Sequence, residues 1–236
     1  MDDRATWLAR TMVELADTLV DDFDMMMLFS TLVERCAELV GDAEVGLVLD
    51  DQRGNLRPVA STTERMGLLE LFEIQSEDGP CQDAYRTGRG VANRLLDERA
   101  EEDWPVFTPR ARELGFRMVH AVPMRCRKQV VGAINVFQEV PNQLNDEDVH
   151  LLQAMADTAT IALLQDRAVA RASELAAQLQ LALSTRIVIE QAKGVLAERE
   201  AIGVDAAFGR LRSIATARRL RLEEVAAEVV EGDLSG

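Results

Sequence analysis

From Asn145 to Ala197 the chain runs without a proline, and between Leu151 and Leu196 its only glycine is Gly194. Proline costs a helix interior about 3 kcal/mol and glycine about 1 kcal/mol relative to alanine. The stretch "DRAVARASELAAQLQLALSTRIVIEQAKGVLAE" is otherwise filled with helix formers, with Leu175, Leu179 and Leu183 at i, i+4 and i+8. Such a run predicts one continuous helix, so the parts of the chain on either side are joined by a helix rather than by a flexible linker.

Upstream, helical and strand periods alternate. "DMMMLFSTLVERCAELVG" carries Leu28, Leu32, Cys36 and Leu39 at helical spacing, with Asp24 as N-cap and Gly41 as stop. "EVGLVLD" and "NLRPVAST" are short strand-like runs around the turn signal "DQRG", and "VHAVPMR" and "QVVGAINVFQ" form a second such pair. Helical or loop pieces lie between the pairs: "LLELFEI", "GPCQDAYRTG" and "WPVFTPRARELGF". Antiparallel strand pairs separated by helices indicate an α+β sandwich around an antiparallel sheet. An N-terminal helix, with Trp7, Leu8, Met12, Leu15 and Leu19 at helical spacing, packs on its own domain or on a second copy.

Downstream of the long run, strand signals stop. Two shorter helices follow, Asp205 to about Arg219 and Leu222 to Val230, the second with Leu222, Val225, Ala226 and Val229 on one face. The expected organisation is an N-terminal helix over 1–21, an α+β domain over 22–165, and a helical linker with a three-helix unit over 166–236.

The formal net charge of −15 argues against non-specific binding to nucleic acid or acidic membranes by the molecule as a whole. The average hides an asymmetry. Residues 184–222 hold eight basic side chains against four acidic ones, a basic island of the kind nucleic-acid sites present. The start "MDDRATWLAR" places acids where a secretory segment would need basic residues, and no apolar run reaches the ~20 residues of a membrane span. Cys36, Cys81 and Cys126 are odd in number and far apart, which predicts no disulfide framework. A cytoplasmic location is expected.

"RIVIEQAKGVLAERE", "AAFGRLRSIA" and "LEEVAAEVV" together resemble the ANTAR domain, a three-helix RNA-binding module of bacterial transcription antiterminators, over roughly residues 174–230. The most specific block is Ile189-Glu190-Gln191-Ala192-Lys193-Gly194. The upstream part, through "GPCQDAYRTGRGV", "WPVFTPRARELGF", "VHAVPM" and "VVGAINVF", resembles a GAF domain of the type that precedes ANTAR in actinobacterial regulators. The resemblance implies a signal-responsive antiterminator that binds paired RNA hairpins in nascent transcripts, and it favours a homodimer. Three places depart from the family: Ala201 where relatives carry Gly, with Gly203 two positions later; Ala215-Thr216 where they carry Ser-Gln or Ala-Met; and Arg219 where they carry Asn. The first is expected to shift a helix cap.

At 100° per residue Val188, Ile189, Ala192, Val195 and Leu196 form a buried stripe, while Arg186 and Lys193 share another face with Gly194 on its flank. In the next helix Phe208, Leu211, Ile214 and Ala215 read as core, and Arg212, Thr216 and Arg219 as a row beside it. The candidate RNA-binding set is Arg186, Lys193, Gly194, Arg212, Arg218 and Arg219, with glycine permitting close approach. No aromatic residue is expected on these basic faces, and Glu228 is expected to be a bystander on the third helix.

No Walker loop, dinucleotide fingerprint or HExxH motif occurs, and His120 and His150 have no metal-ligand spacing. His120 reads as a satisfied structural histidine. No metal or cofactor is expected. The GAF cavity, bordered in the family by segments that correspond here to Cys81, Tyr85, Val119, Ala121 and Met124, takes an unidentified small molecule or is purely structural. Cys81, behind Gly79-Pro80 at a helix start, could have a lowered thiol pKa, although a small buried side chain is the commoner meaning. With Cys126 it carries the alternative of a thiol enzyme on a GAF scaffold, of the methionine sulfoxide reductase type. A protein–protein scaffold using the acidic surface is a third reading.

Overall fold

The computed structural model describes residues 4–17 and 24–232. The chain divides into two compact units, Met1–Asp166 and Arg167–Gly236. The first is the expected α+β sandwich. Its five-stranded sheet has the order β2-β1-β5-β4-β3 and every neighbouring pair is antiparallel. The strands are β1 (Ala43–Asp50), β2 (Leu56–Ser61), β3 (Val91–Leu95), β4 (Met118–Cys126) and β5 (Gln129–Gln138). In β1 and β5 the side chains alternate between two buried faces, so both read as near-continuous apolar runs.

One face packs on α1 (Arg4–Asp17), α2 (Met25–Val40) and the start of α7 (Asp146–Arg199), through Leu28, Leu32, Cys36, Leu47, Ile134 and Met155 among others. Asp24 caps α2 through the amides of Met26 and Met27, and Gly41 ends it at φ 72°. Leu15 is buried in this core with Trp7 and Met12 packed against it, so α1 covers its own domain; Leu19 lies outside the described residues. The other face carries α3 (Glu64–Ser76), α4 (Pro80–Thr87), α5 (Glu98–Asp103) and α6 (Phe107–Glu113). There Phe107, Phe116 and Phe137 cluster with ring centroids 5.1–5.9 Å apart.

In the second unit the last part of α7 packs with α8 (Val204–Arg218) and α9 (Leu222–Glu231) around Ala192, Leu196, Ala207, Leu211, Val225 and Val229. The α7 cap does not shift at the Gly-to-Ala departure. Ala201 itself takes φ 52°, its amide bonding Glu198 O and the Ile202 amide bonding Ala197 O, the Schellman pattern. Gly203 then serves as N-cap of α8. Helix α8 ends the same way on Arg219 at φ 56°, with the Leu220 amide on Ala215 O. Side chains other than Gly and Asn pay about 1 kcal/mol or more in this region.

Candidate functional sites

Lys193 and Arg186 lie on one face of α7, as their spacing predicts, but they differ in freedom. Arg186 is exposed and has no ion-pair partner among the described residues. Lys193 is held by both oxygens of Glu190 at 2.9 and 2.8 Å, and its ammonium stands 5.6 Å from the centroid of the Phe208 ring. Phe208, expected in the core, is therefore half-buried beneath a lysine of the basic face. Four residues on, Arg212 is exposed and unpaired among the described residues. The Lys193–Phe208 contact thus ties the Arg186–Lys193 face of α7 to the Phe208–Arg212 face of α8, since i and i+4 are helix neighbours.

Two expectations about this surface change. Arg219 is not a third member of an α8 row, because the helix ends at Arg218 and Arg219 occupies the left-handed cap. It is exposed and unpaired among the described residues, at a positive φ that Asn tolerates better than Arg. Glu228 is not a bystander, because it forms a two-pronged ion pair with Arg218, the outer contact being 3.2 Å. A cation set between helices α8 and α9 found the nearest carboxylate. Gly194 has nothing within 4 Å of where a Cβ would stand, so helix packing does not require it. Arg199, outside the predicted set, is a further exposed arginine with no ion pair among the described residues.

On the α3/α4 side of the sheet, strand alternation sorts the expected cavity residues. Cys81 and Ala121 are buried in one apolar cluster with Tyr85 packed against it, and Val119 joins the phenylalanine cluster on the same face. Met124, an odd number of residues from Ala121 in β4, points into the opposite core with Leu47 and Ile134. A cavity of about 240 Å³ does exist beside β4, lined by Val91, His120, Ala121, Leu144, His150 and Gln153, but it does not gather the expected set. His120 beside it is satisfied, with Nδ1 accepting from the Asn93 amide at 2.9 Å and Nε2 3.3 Å from Gln138 Oε1. Burial holds its pKa below the usual histidine range.

Two buried carboxyls that sequence reasoning missed face Cys81. Helix α3 buries Glu70 and Glu73, both 0% exposed, beside Met66 and Leu69, while Leu68 and Leu71 are 61% and 43% exposed. Glu73 Oε1 accepts the Cys81 amide at 2.6 Å, capping α4 from the preceding helix, and its Oε2 accepts from Asn135 Nδ2 at 3.1 Å. Both oxygens of Glu70, and Asn135 Oδ1, are buried without a hydrogen-bond partner. Burial pushes Glu73 up to about 8, opposed by hydrogen bonds from the Cys81 thiol and amide, the Gln82 amide and Asn135. Burial and the neighbouring Glu73 push Glu70 up as well, opposed only in part by the adjacent Asn135 side chain. Cys81 moves in the direction opposite to activation: burial first, then Glu73, raise its thiol well above the ordinary range. Cys126 lies at the β4–β5 turn, outside that cluster. The signal that could have exposed the pair was glycine: a Cβ on Gly46 would stand 2.2 Å from Glu70 Oε1, and one on Gly79 would stand 2.4 Å from Glu73 Oε1.

Comparison with known proteins locates both units. A family model described as the GAF domain matches residues 24–164, and one described as the ANTAR domain matches residues 177–230. The GAF domain of an Acinetobacter phosphoenolpyruvate-protein phosphotransferase superposes with a TM-score of 0.56 at 16% identity, covering 72% of this chain and 97% of that one. Its counterpart from Coxiella burnetii gives 0.54 at 14% identity, covering 72% and 99%. Free methionine-R-sulfoxide reductase from Neisseria meningitidis, solved with its substrate, gives 0.53 at 19% identity, covering 72% and 95%. At these identities the likeness is one of fold. No curated protein matches.

Proposed function

This chain belongs to the GAF-domain family and carries an ANTAR domain behind it, and on that footing we propose that it is a transcription antiterminator acting on RNA hairpins of nascent transcripts. A GAF domain is a sensory module and an ANTAR domain an RNA-binding one. The observation that carries the proposal is the surface of the second unit. Arg186, Arg212 and Arg219 stand exposed and unpaired among the described residues, and none of those residues comes within 4 Å of where a Cβ on Gly194 would stand. Arginine can hydrogen-bond a base edge bidentately or stack on it, whereas lysine acts as a point charge toward phosphate. Phe208 adds an aromatic edge beside that lysine. Two such units, brought together in a homodimer, would suit a two-hairpin target through effective concentration.

Binding of hairpin RNA by single variants tests this. Arg212→Ala loses roughly 1–3 kcal/mol, more on the cognate loop than on a scrambled one, and Lys193→Ala weakens all hairpins alike and lowers the salt slope by about one charge. Should both variants, shown to be folded, bind a two-hairpin RNA as tightly as the parent, the assignment fails. The reductase among the structural neighbours supports a thiol-enzyme reading. The burial of Cys81 beside two carboxyls counts against it, because the thiolate is the reactive form. Methionine sulfoxide reduction that disappears in Cys81→Ser and Cys126→Ser would reverse that preference.

A further inference from the structure

Helix α3 turns two glutamates inward and leaves two leucines in water, the reverse of what burial of apolar surface favours. Met66 and Leu69 are buried on the same face, so the arrangement seats two carboxyls within an otherwise apolar contact. Its result is a set of three buried acceptor atoms with no donor: Glu70 Oε1, Glu70 Oε2 and Asn135 Oδ1. Buried polar atoms are nearly always partnered. Among the described residues, the groups acting on Glu70 include no cation. Its own helix brings Glu73, α4 brings Cys81, β5 brings the neutral Asn135, and β1 contributes only Gly46.

The geometry points to a binding site for a primary ammonium group, held by Glu70 and Asn135 between α3 and the sheet. An ammonium has three N–H donors and no acceptor, which matches the three orphan acceptors in number and its charge matches one carboxylate. A metal ion is a poorer match, because among the described residues no three His, Cys, Asp or Glu are grouped to hold one. The neighbouring wall is small and apolar, made by Cys81, Ala84, Ala121 and Ala133, so the body carrying the ammonium is a short aliphatic one. Without it the site holds a proton on Glu70, and binding exchanges that proton for the ligand. The inference builds on the reading of the first unit as a sensory domain and names the chemical class it senses.

The test is a titration of the full chain with n-propylammonium, followed by the side-chain amide of Asn135 and the backbone amide of Cys81 in nitrogen-15 spectra. Saturable shifts at both are expected, with affinity rising up to about tenfold per pH unit while a proton is being displaced. Tetramethylammonium, which lacks N–H donors, and 1-propanol, which lacks charge, should leave them unmoved. Glu70→Gln should abolish the shifts, and Asn135→Ala, which removes one acceptor, should weaken them. If propylammonium moves neither resonance at any pH, or moves them equally in Glu70→Gln, the site is refuted. If saturating propylammonium adds nothing to the shifts that pH alone produces, the occupant is a proton only and the proposal also falls. Hairpin RNA affinity measured alongside separates the two readings: binding at Asn135 that leaves RNA affinity unchanged supports the site and counts against the sensory role.

Discussion

Glu73 makes the sharpest claim about stability. In the unfolded chain it titrates near 4.5, and in the folded protein at about 8. A carboxyl with a raised folded pKa is protonated in both states at low pH, so it takes nothing from stability there. As pH climbs from 4.5 to 8 the unfolded chain releases the proton first, and stability falls throughout that window before levelling off above it. At about 1.36 kcal/mol per unit, a span of roughly 3.5 units sets a ceiling of about 5 kcal/mol. Relaxation around an ionised carboxylate reduces the observable loss to the order of 3 kcal/mol. Glu73→Gln removes the titration but keeps an oxygen that can accept the Cys81 amide, and its new NH2 group can face Asn135 Oδ1 if that amide turns. Urea unfolding followed by Trp104, which lies in the core on this side of the sheet, should show the parent midpoint dropping by about 1–2 M between pH 5 and pH 8 relative to the variant. His120 contributes a slope of opposite sign, present above the histidine range and lost as pH falls, but it is common to both proteins and cancels in the difference. Parallel midpoints for parent and variant across that window would refute the reasoning.

Gly194→Ala should raise the thermal stability of the second unit by about 1 kcal/mol, since its methyl meets nothing, and at the same time weaken hairpin binding; binding that stays at the parent level removes glycine from the interface. Glu228→Ala frees Arg218 from its ion pair and should tighten RNA binding at low salt by a few-fold, read as a steeper dependence of affinity on salt concentration. Inserting a Gly-Ser segment near Arg171 should weaken two-hairpin binding and spare single-hairpin binding, measured by gel shift on matched RNAs.

Four of the five strands were legible because their side chains are β-branched and their turns carry recognisable signals; β5 coincides with "QVVGAINVFQ" to the residue. The fifth, β3, was not. It is a five-residue edge strand with Asn93 at φ 53° and a break in register against β4, so no alternation survives in "VANRL". The basic surface was legible as a charge excess on helical faces, but not which cations are free. Pairing of Lys193 with Glu190, three residues away on the same helix, depends on rotamers, and that of Arg218 with Glu228, ten residues away, depends on which helices are neighbours. Glu70 and Glu73 were illegible because glutamates three apart on a helix ordinarily mark its wet side, and only the tertiary position of α3 reverses that meaning.

The two left-handed caps of the second unit bear on how the protein opens rather than on what it binds. Ala201 and Arg219 each hold a conformation that glycine would adopt without strain. The bundle they close rests on eight buried side chains, half of them alanines, against twenty-two in a single core of the first unit. Its amides should therefore exchange with solvent through openings that leave the sheet closed, a separate cooperative step with its own low free energy. A hairpin that recognises only the closed bundle would oppose those openings, by about 2.7 kcal/mol at a hundredfold excess over its dissociation constant. The RNA then acts as a folding partner for the small unit, and slowed exchange over residues 186–231 becomes a direct record of its occupancy.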